Sequence, residues 1–435
     1  MRAADAFAVA RSLLSLRRSE WWPAERIRVE QSRRLTEALR FAVTRVPYYR
    51  RMEMGNLEFV SPDDLSRFPV LTKRAQQANR EALLSDATAA SECYVSRTSG
   101  STGEPTTVYF DRDAWLFCKY ALKMRRMVSA GVGPGSRVLV VSELSPEQLR
   151  DDPVFPGQGL LFGQRRVSIH EPVETALDTL RSFRPHALYA FPSFLAELLE
   201  HCESGRLELP HVRAVFTSSE VLTGGLRRRL EESFGGRVHD VYGSTEFKEV
   251  AWQCDHGRYH INFESTWVEI DEEVRDDGSG AILLTSLVNR AMPLIRYRVG
   301  DYGRLGAGSC DCGRAGPWLE VIGGREVEVL ETPDGRRLSP YLLTTVLESD
   351  AAMRRYQIVQ TGRSALEVRY LTAPGCRVDV PALSRAIGEI VGDAMTIRFR
   401  RQQKFERAAS GKQGVFVRES TDDHPNSQPA DRAER

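Results

Sequence analysis

Five short stretches of this chain hold residue types whose spacing could do chemistry. The first, "SRTSGSTGEPTTVYF" at 96–110, sets Thr98, Ser99, Gly100, Ser101, Thr102 and Gly103 in an unbroken run ahead of strand-forming residues. Small residues let backbone N–H groups close on a phosphate, and hydroxyls add further donors. No Gly-Lys-Ser/Thr follows, so this is not a Walker loop, and taken alone it also reads as a flexible linker. The second, "DVYGSTE" at 240–246, runs a strand into Tyr242, an aromatic suited to stack on a flat ring. Gly243 and Ser244 allow the turn, Thr245 offers a hydroxyl, and Glu246 offers a carboxylate for hydrated Mg²⁺. An ordinary strand-to-turn transition is the alternative. In the third, "MPLIRYRVGDYG" at 292–303, Asp301 is placed to hydrogen-bond a ribose diol or simply to make a β-turn. In the fourth, "ASGKQGVFV" at 409–417, Lys412 sits in a Gly-flanked loop, where a lysine is usually just solvated. The fifth joins "QCDHGRYH" (253–260) to "SCDCGR" (309–314). Cys254, His260, Cys310 and Cys312 could close a tetrahedral, structural Zn²⁺ site, with His256 the rival imidazole. Reduced surface thiols in a Gly-rich loop are the competing account.

The elements needed to position these residues are legible in the periodicity. Helical spacing covers 24–47 up to Pro47, a second stretch near 72–85, and a long helix from Arg112 to Ala130. From Ser136 the strand-like "SRVLVVSEL", "HALYAF", "VRAVFTSS" and "RVHDVYG" alternate with helical "VETALDTLRSF", "SFLAELLEHCES" and "GGLRRRLEESF". Such β–α units argue for a parallel, doubly wound sheet, whose ligands lie at the carboxyl ends of strands. That puts "TSSE" (217–220) and "YGSTE" (242–246) at the rim. After about 262 shorter, antiparallel-looking strands take over, and a break falls near "GGRE" at 323–326. Beyond it come a hairpin around Asp334-Gly335, a helix at 340–349, strands at 355–361 and 365–371, a helix at 379–393 and a strand at 396–400. The fold class is therefore α/β: a large N-terminal domain (1–324) with a doubly wound sheet plus antiparallel sheet, then a small C-terminal α+β lid (325–417). The polar tail at 418–435 is expected to be disordered.

Bulk properties exclude other classes. The 435 residues carry a net charge of +1, which gives no global electrostatic case for nucleic acid or acidic lipid. No apolar run approaches a membrane span, and the N-terminus lacks a signal-peptide core. With no such signal, the seven cysteines read as reduced thiols in a cytoplasmic protein.

Taken in order, the Ser/Thr/Gly loop, Tyr-Gly-x-Thr-Glu, Arg-Tyr-Arg-x-Gly-Asp, Gly-Arg at a domain break and a terminal Gly-Lys resemble the adenylate-forming enzyme superfamily. "AMPLIRYRVGD" followed by "CDCGR", with "VPYYR" at 46–50, looks like the phenylacetate–CoA ligase branch, over residues 25–417. The resemblance implies that a carboxylic acid attacks the α-phosphorus of Mg-ATP, giving an acyl-adenylate and pyrophosphate. A thiol, usually coenzyme A, then displaces AMP. It implies that Thr98–Gly103 hold the β- and γ-phosphates and that Tyr242 stacks on adenine, with Ser219 and Glu220 at the base's edge. Thr245 and Glu246 would hold the α-phosphate and Mg²⁺, Asp301 the ribose, and Arg325 the ribose or phosphate. Lys412 would bridge carboxylate and α-phosphate. Related ligases carry a Gly-Leu-His-like triplet where "RYH" stands, which favours His260 as the zinc ligand. A homodimer is also suggested.

Two departures matter. Where the family has an acidic hinge residue this chain has Val327, between Glu326 and Glu328, and "TSSEVL" is more polar than usual. The acceptor could thus be an amine, a carrier-protein thiol or a hydroxyl instead of coenzyme A, or the chain could be a silent nucleotide-binding relative. The acid pocket should draw on Ser142–Phe162, Tyr189–Phe194 and Phe216–Glu220, a mixture that suits an aromatic or medium-sized acid.

Overall fold

A computed structural model describes residues 3–52, 62–97, 106–151, 162–274, 278–306, 308–325, 330–405 and 414–419. The chain divides into two compact units, one of Met1–Val327 with Arg407–Lys412 and the other of Glu328–Glu406 with Gln413–Arg435. In the first unit a hairpin pairs β1 (Tyr94–Arg97) with β2 (Thr107–Phe110), Tyr94 opposite Phe110 and Arg97 opposite Thr107.

The alternating stretch after Ser136 forms five parallel strands: β3 (Arg137–Ser142), β4 (Gly163–Ser168), β5 (Ala187–Ala190), β6 (Ala214–Ser218) and β7 (Arg237–Ser244). Their spatial order is β4-β3-β5-β6-β7, so the chain reverses direction across the sheet between β3 and β5. Sequence periodicity missed β4. Its "GQRRVS" has few β-formers, and its two arginines suit an edge strand that must not recruit another chain.

Period-two alternation sorts the side chains into two cores. Leu139, Val141, Leu188, Ala190 and Val215 face the helices Val173–Phe183, Pro192–Gly205 and Gly224–Phe234. Val138, Ala187, Ala214 and Phe216 face the other way, onto helix Ala3–Ser19 and the helical run 112–129. That run is two α-segments, Arg112–Leu116 and Leu122–Ser129, joined by a π-turn at Phe117–Ala121. It begins where Asp111 accepts a hydrogen bond from the Ala114 amide at 2.9 Å, an N-cap that satisfies a donor the helix leaves open.

The antiparallel strands expected after about 262, together with β8, continue the same sheet. β8 (Lys248–Gln253) pairs with β7, β9 (Tyr259–Ile261) with β8, and β13 (Trp318–Arg325) with β9, and then β12 (Tyr297–Leu305), β11 (Gly280–Ser286) and β10 (Thr266–Val274) follow outward. One mixed sheet of 11 strands results. The turn after β7 is tight enough to reverse the chain into its own neighbour, so parallel and antiparallel halves stay hydrogen-bonded.

The second unit is small and α+β. β14 (Leu330–Glu331) and β15 (Arg337–Leu338) form the hairpin read around Asp334-Gly335, with Gly335 at φ 85°. A four-stranded sheet follows in the order β18-β17-β16-β19, built from β16 (Met353–Gly362), β17 (Ala365–Thr372), β18 (Thr396–Arg401) and β19 (Phe416–Arg418). Helix Val380–Val391 packs Leu383, Ile387 and Val391 into its core.

Candidate active site

The carboxyl ends of β6 and β7 lie side by side, Ser218 opposite Val241, so "TSSE" and "YGSTE" share one rim. At that rim the pairing of β7 with β8 shifts register between Tyr242 and Gly243. A Cβ on Gly243 would stand 2.2 Å from the Lys248 carbonyl oxygen, so the turn accepts only glycine. Ser244 then receives the Phe247 amide on its hydroxyl at 3.2 Å, which closes the turn carrying Thr245 and Glu246.

Two phenol–carboxylate pairs link this turn to β12. Tyr242 donates to Asp301 at 2.9 Å, and Tyr297 donates to Glu246 at 2.9 Å. Burial first, and then the neighbouring carboxylate, holds both phenols well above the ordinary tyrosine range, so both stay protonated donors. Arg325 stands opposite Asp301 in the register of β13 against β12.

A third link reaches the hairpin. Ser96, at the end of β1, donates to the Thr245 carbonyl at 3.1 Å and accepts from the Lys248 ammonium. Lys248 adopts a left-handed backbone (φ 66°), held by that bond and by the rings of Phe110 and Trp115 at 5.3 and 5.1 Å. Thr98, Ser99, Gly100, Ser101, Thr102 and Gly103 lie outside the described residues, as do Lys412 and 326–329 with Val327. The strands flanking the Ser/Thr/Gly run are paired to one another, so the run connects neighbouring strands and does not link separate domains.

Ser219 is also left-handed, at φ 69°, immediately past β6. Glu220, expected with Ser219 at the base's edge, is positioned by Ser193: its carboxylate accepts the Ser193 amide at 2.7 Å and hydroxyl at 2.8 Å. It thereby caps the first turn of helix Pro192–Gly205, whose amides have no intrahelical acceptor.

Sequence reasoning passed over Tyr297, Lys248 and Ser96. For Tyr297 the signal was present: "IRYRVGD" alternates, and the residue lies an even number of positions before Asp301 on the same strand. The others touch the site only through tertiary contacts.

The cysteine–histidine set is brought together as a unit. Cys254 ends β8, His260 lies on β9, and Cys310 and Cys312 lie between β12 and β13. Their four ligand atoms all fall within 4.8 Å of one another. Cys254 Sγ and Cys310 Sγ are 3.7 Å apart, and Cys312 Sγ is 3.2 Å from His260 Nε2. A tetrahedron with bonds of about 2.3 Å has sulfur–sulfur edges of roughly 3.8 Å, so the donors fit zinc. His256, the rival, is exposed, and Cys254, His260 and Cys310 are buried, unlike surface thiols.

Comparison with known proteins agrees with this geometry. The family model for AMP-binding enzymes matches residues 51–262. The chain is 26% identical over 366 residues to a phenylacetate–coenzyme A ligase of Thermus thermophilus, covering 80% of this chain and 81% of that protein. A phenylacetate–coenzyme A ligase of Escherichia coli is 26% identical over 69% of this chain and 71% of its own. A p-hydroxybenzoic acid–AMP ligase of Mycobacterium marinum is 33% identical over 40% of this chain and 24% of its own length. Among solved structures, 2-hydroxyisobutyryl-CoA ligase in its postadenylation state shares the fold, with a TM-score of 0.76, 21% identity, and coverage of 92% of this chain and 91% of that one.

Proposed function

We infer, from a chain that belongs to the adenylate-forming superfamily in its phenylacetate–CoA ligase-like branch, that it activates a carboxylic acid with ATP. The acid's carboxylate oxygen bonds to the α-phosphorus as the bond to pyrophosphate breaks. The thiol of coenzyme A then bonds to the acyl carbon, loses its proton, and AMP leaves. The observation that carries this reading is the double link between the β7–β8 turn and β12, Tyr242 to Asp301 and Glu246 to Tyr297. A ring, a carboxylate acceptor and a second carboxylate gathered on one rim would suit the base, ribose and phosphate side of a nucleotide.

Within that site we assign Tyr242 to the adenine face, Ser219 and Glu220 to the base's edge and Asp301 to the ribose. Arg325, opposite Asp301 in the sheet, fits the ribose or phosphate. Thr245 and Glu246 fit the α-phosphate and Mg²⁺, which neutralises phosphate charge when bound. Only Glu246 Oε1 is engaged by Tyr297, so the carboxylate retains acceptor capacity for a hard cation. Thr98–Gly103 are assigned to the β- and γ-phosphates, consistent with Ser96 fixing the base of that hairpin against Thr245. Lys412 is assigned to the charge that develops between carboxylate and α-phosphorus. We also read Cys254, His260, Cys310 and Cys312 as a structural zinc site, filled by four protein ligands and so without a water to activate.

Acid-dependent exchange of pyrophosphate into ATP tests the activation step. Exchange with an aromatic or medium-sized acid, reduced about a hundred- to a thousand-fold by Lys412→Ala, is the expected result. Absence of exchange with every acid tried, while ATP still binds, overturns it. A second acceptor class is kept alive by Val327 and by the local likeness to a ligase whose product name ends at AMP. AMP release that needs an amine and ignores coenzyme A would select that class.

A further inference from the structure

Behind the rim serines lies a cationic site that the nucleotide reading does not use. Helix Leu122–Ser129 presents Lys123 and Arg126, one turn apart, to the face of the parallel sheet where Tyr189 on β5 and Phe216 on β6 point. The Lys123 ammonium stands 5.6 Å from the centre of the Tyr189 ring. The Arg126 guanidinium lies 5.7 Å from the same ring and 4.5 Å from that of Phe216.

The two cations differ in what satisfies them. Arg126 is buried and pairs with buried Glu249, Nε to Oε2 at 3.1 Å. Half-buried Lys123 meets no carboxylate or carbonyl partner among the described residues; the Tyr189 ring is its described contact. The charges around it are Arg126, Lys119, Arg166 and the single carboxylate of Glu249, already held by Arg126. Burial, reinforced by Arg126, pushes the Lys123 ammonium down to about 8.

Its position relative to the reacting centre is fixed by a short relay. The Tyr189 hydroxyl bonds Ser218 Oγ at 2.5 Å, and Ser218 Oγ lies 3.4 Å from Ser219 Oγ at the rim. Tyr189 thus contacts both the rim serines, through its hydroxyl, and the Lys123 ammonium, through its ring. An acid lying along that ring with its carboxyl at the rim directs its far end at Lys123.

We propose that Lys123 selects the substrate: a carboxylic acid, aromatic or of similar length, bearing an oxygen acceptor, hydroxyl or carboxylate, at the end remote from the activated carboxyl. Arg126 and Glu249 hold the wall, and Lys123 donates to the remote oxygen over the face of Tyr189. This rests on the acid-activation reading and narrows it to a class of acids. A site built to bond a substrate oxygen rejects the analogue lacking it, because its own buried donor is then left unpaired.

Matched acids test it: phenylacetate, 4-hydroxyphenylacetate and 4-carboxyphenylacetate, assayed by pyrophosphate exchange with wild type, Lys123→Met and Lys123→Arg. Wild type is expected to favour an oxygen-bearing acid in kcat/KM by roughly 10- to 100-fold. Lys123→Met should bring the ratio near unity, and Lys123→Arg should restore part of the preference. Equal use of all three acids by wild type, or a preference that survives Lys123→Met, overturns the proposal. Calorimetric titration of the same acids without ATP separates the two readings. Lys123-dependent binding with no exchange would sink acid activation and keep this site, whereas binding indifferent to Lys123 would sink the site. Circular dichroism and the melting temperature of each variant show that it is folded.

Discussion

Tyr242 and Asp301 are four strands apart in the sheet order, yet share a hydrogen bond of 2.9 Å. Four flat steps of about 4.8 Å would put roughly 19 Å between them, beyond the combined reach of the two side chains. The sheet must therefore curl until β12 faces β7. β9 permits this, since it has only three residues and meets β13 only at Trp318 and Leu319. Removing the phenol with Tyr242→Phe should weaken ATP binding by about tenfold or less, the worth of one hydrogen bond. Asp301→Asn should weaken it by roughly 10- to 100-fold, because a charged acceptor for the ribose is lost as well. Calorimetric titration with ATP reads both, and equal losses would mean that Asp301 serves only to hold Tyr242.

Zinc, if it occupies the Cys254–His260–Cys310–Cys312 set, joins β8, β9 and the loop before β13, the same region where the sheet curls. Elemental analysis of the purified protein should find one zinc per chain. Cys310→Ala should lose the metal and lower the melting temperature, and a strong chelator should reproduce the fall in wild type. Metal-free protein with an unchanged melting temperature would refute the site.

Glu264 marks a different kind of dependence. Buried, it accepts from Arg125 at 2.9 Å and from Ser19 at 2.6 Å, tying the N-terminal helix and the helix Leu122–Ser129 to the turn before β10. Glu264→Gln leaves the Arg125 cation buried without its counter-charge and should cost about 3–5 kcal/mol. Glu37→Gln, which breaks an exposed pair with Arg33, should cost less than about 1 kcal/mol. Urea unfolding of both variants checks the contrast, and similar midpoints would show that the Glu264 network is not under strain from desolvation.

Asp240 supplies a pH dependence. Burial raises its carboxyl to about 6 from an ordinary 3.8, against the opposing pull of hydrogen bonds from Thr217 and Tyr259. An acid raised on folding binds its proton more readily folded than unfolded. Its contribution to stability is complete below about pH 4 and is lost as the pH rises through about 6. A shift from 3.8 to about 6 corresponds to about 3 kcal/mol. Asp240→Asn, which cannot ionise, should therefore gain on wild type by about that amount between pH 4 and pH 8. Urea unfolding across that range measures the gain, and a difference that stays flat with pH would refute the raised carboxyl.

How far the sequence led can be judged residue by residue. β3, β5, β6, β7 and their helices were legible because apolar periodicity is a local signal, and the rim positions of Ser219 and Tyr242 follow from strand direction alone. The polar edge strand β4 carries no such signal. The choice of His260 over His256 was legible only through resemblance, and the register of Trp318 opposite His260 is what makes it physical. Lys123 was invisible because a lysine in a helix is ordinarily solvated. Only the packing of that helix on Tyr189 and Phe216 half-buries it. The contact that positions Glu220 was equally invisible, since its partner Ser193 is distant in sequence.

The curl of the sheet also bears on inheritance. The match to the AMP-binding family runs from 51 to 262, so it carries Tyr242 and Glu246 but stops before Tyr297 and Asp301. A gene fragment or a crossover cut at that boundary would deliver a phenol and a carboxylate whose bonded counterparts were left behind. Recombination among relatives can thus exchange whole sites freely and half-sites only where the incoming segment again supplies a Tyr for Glu246 and an Asp for Tyr242.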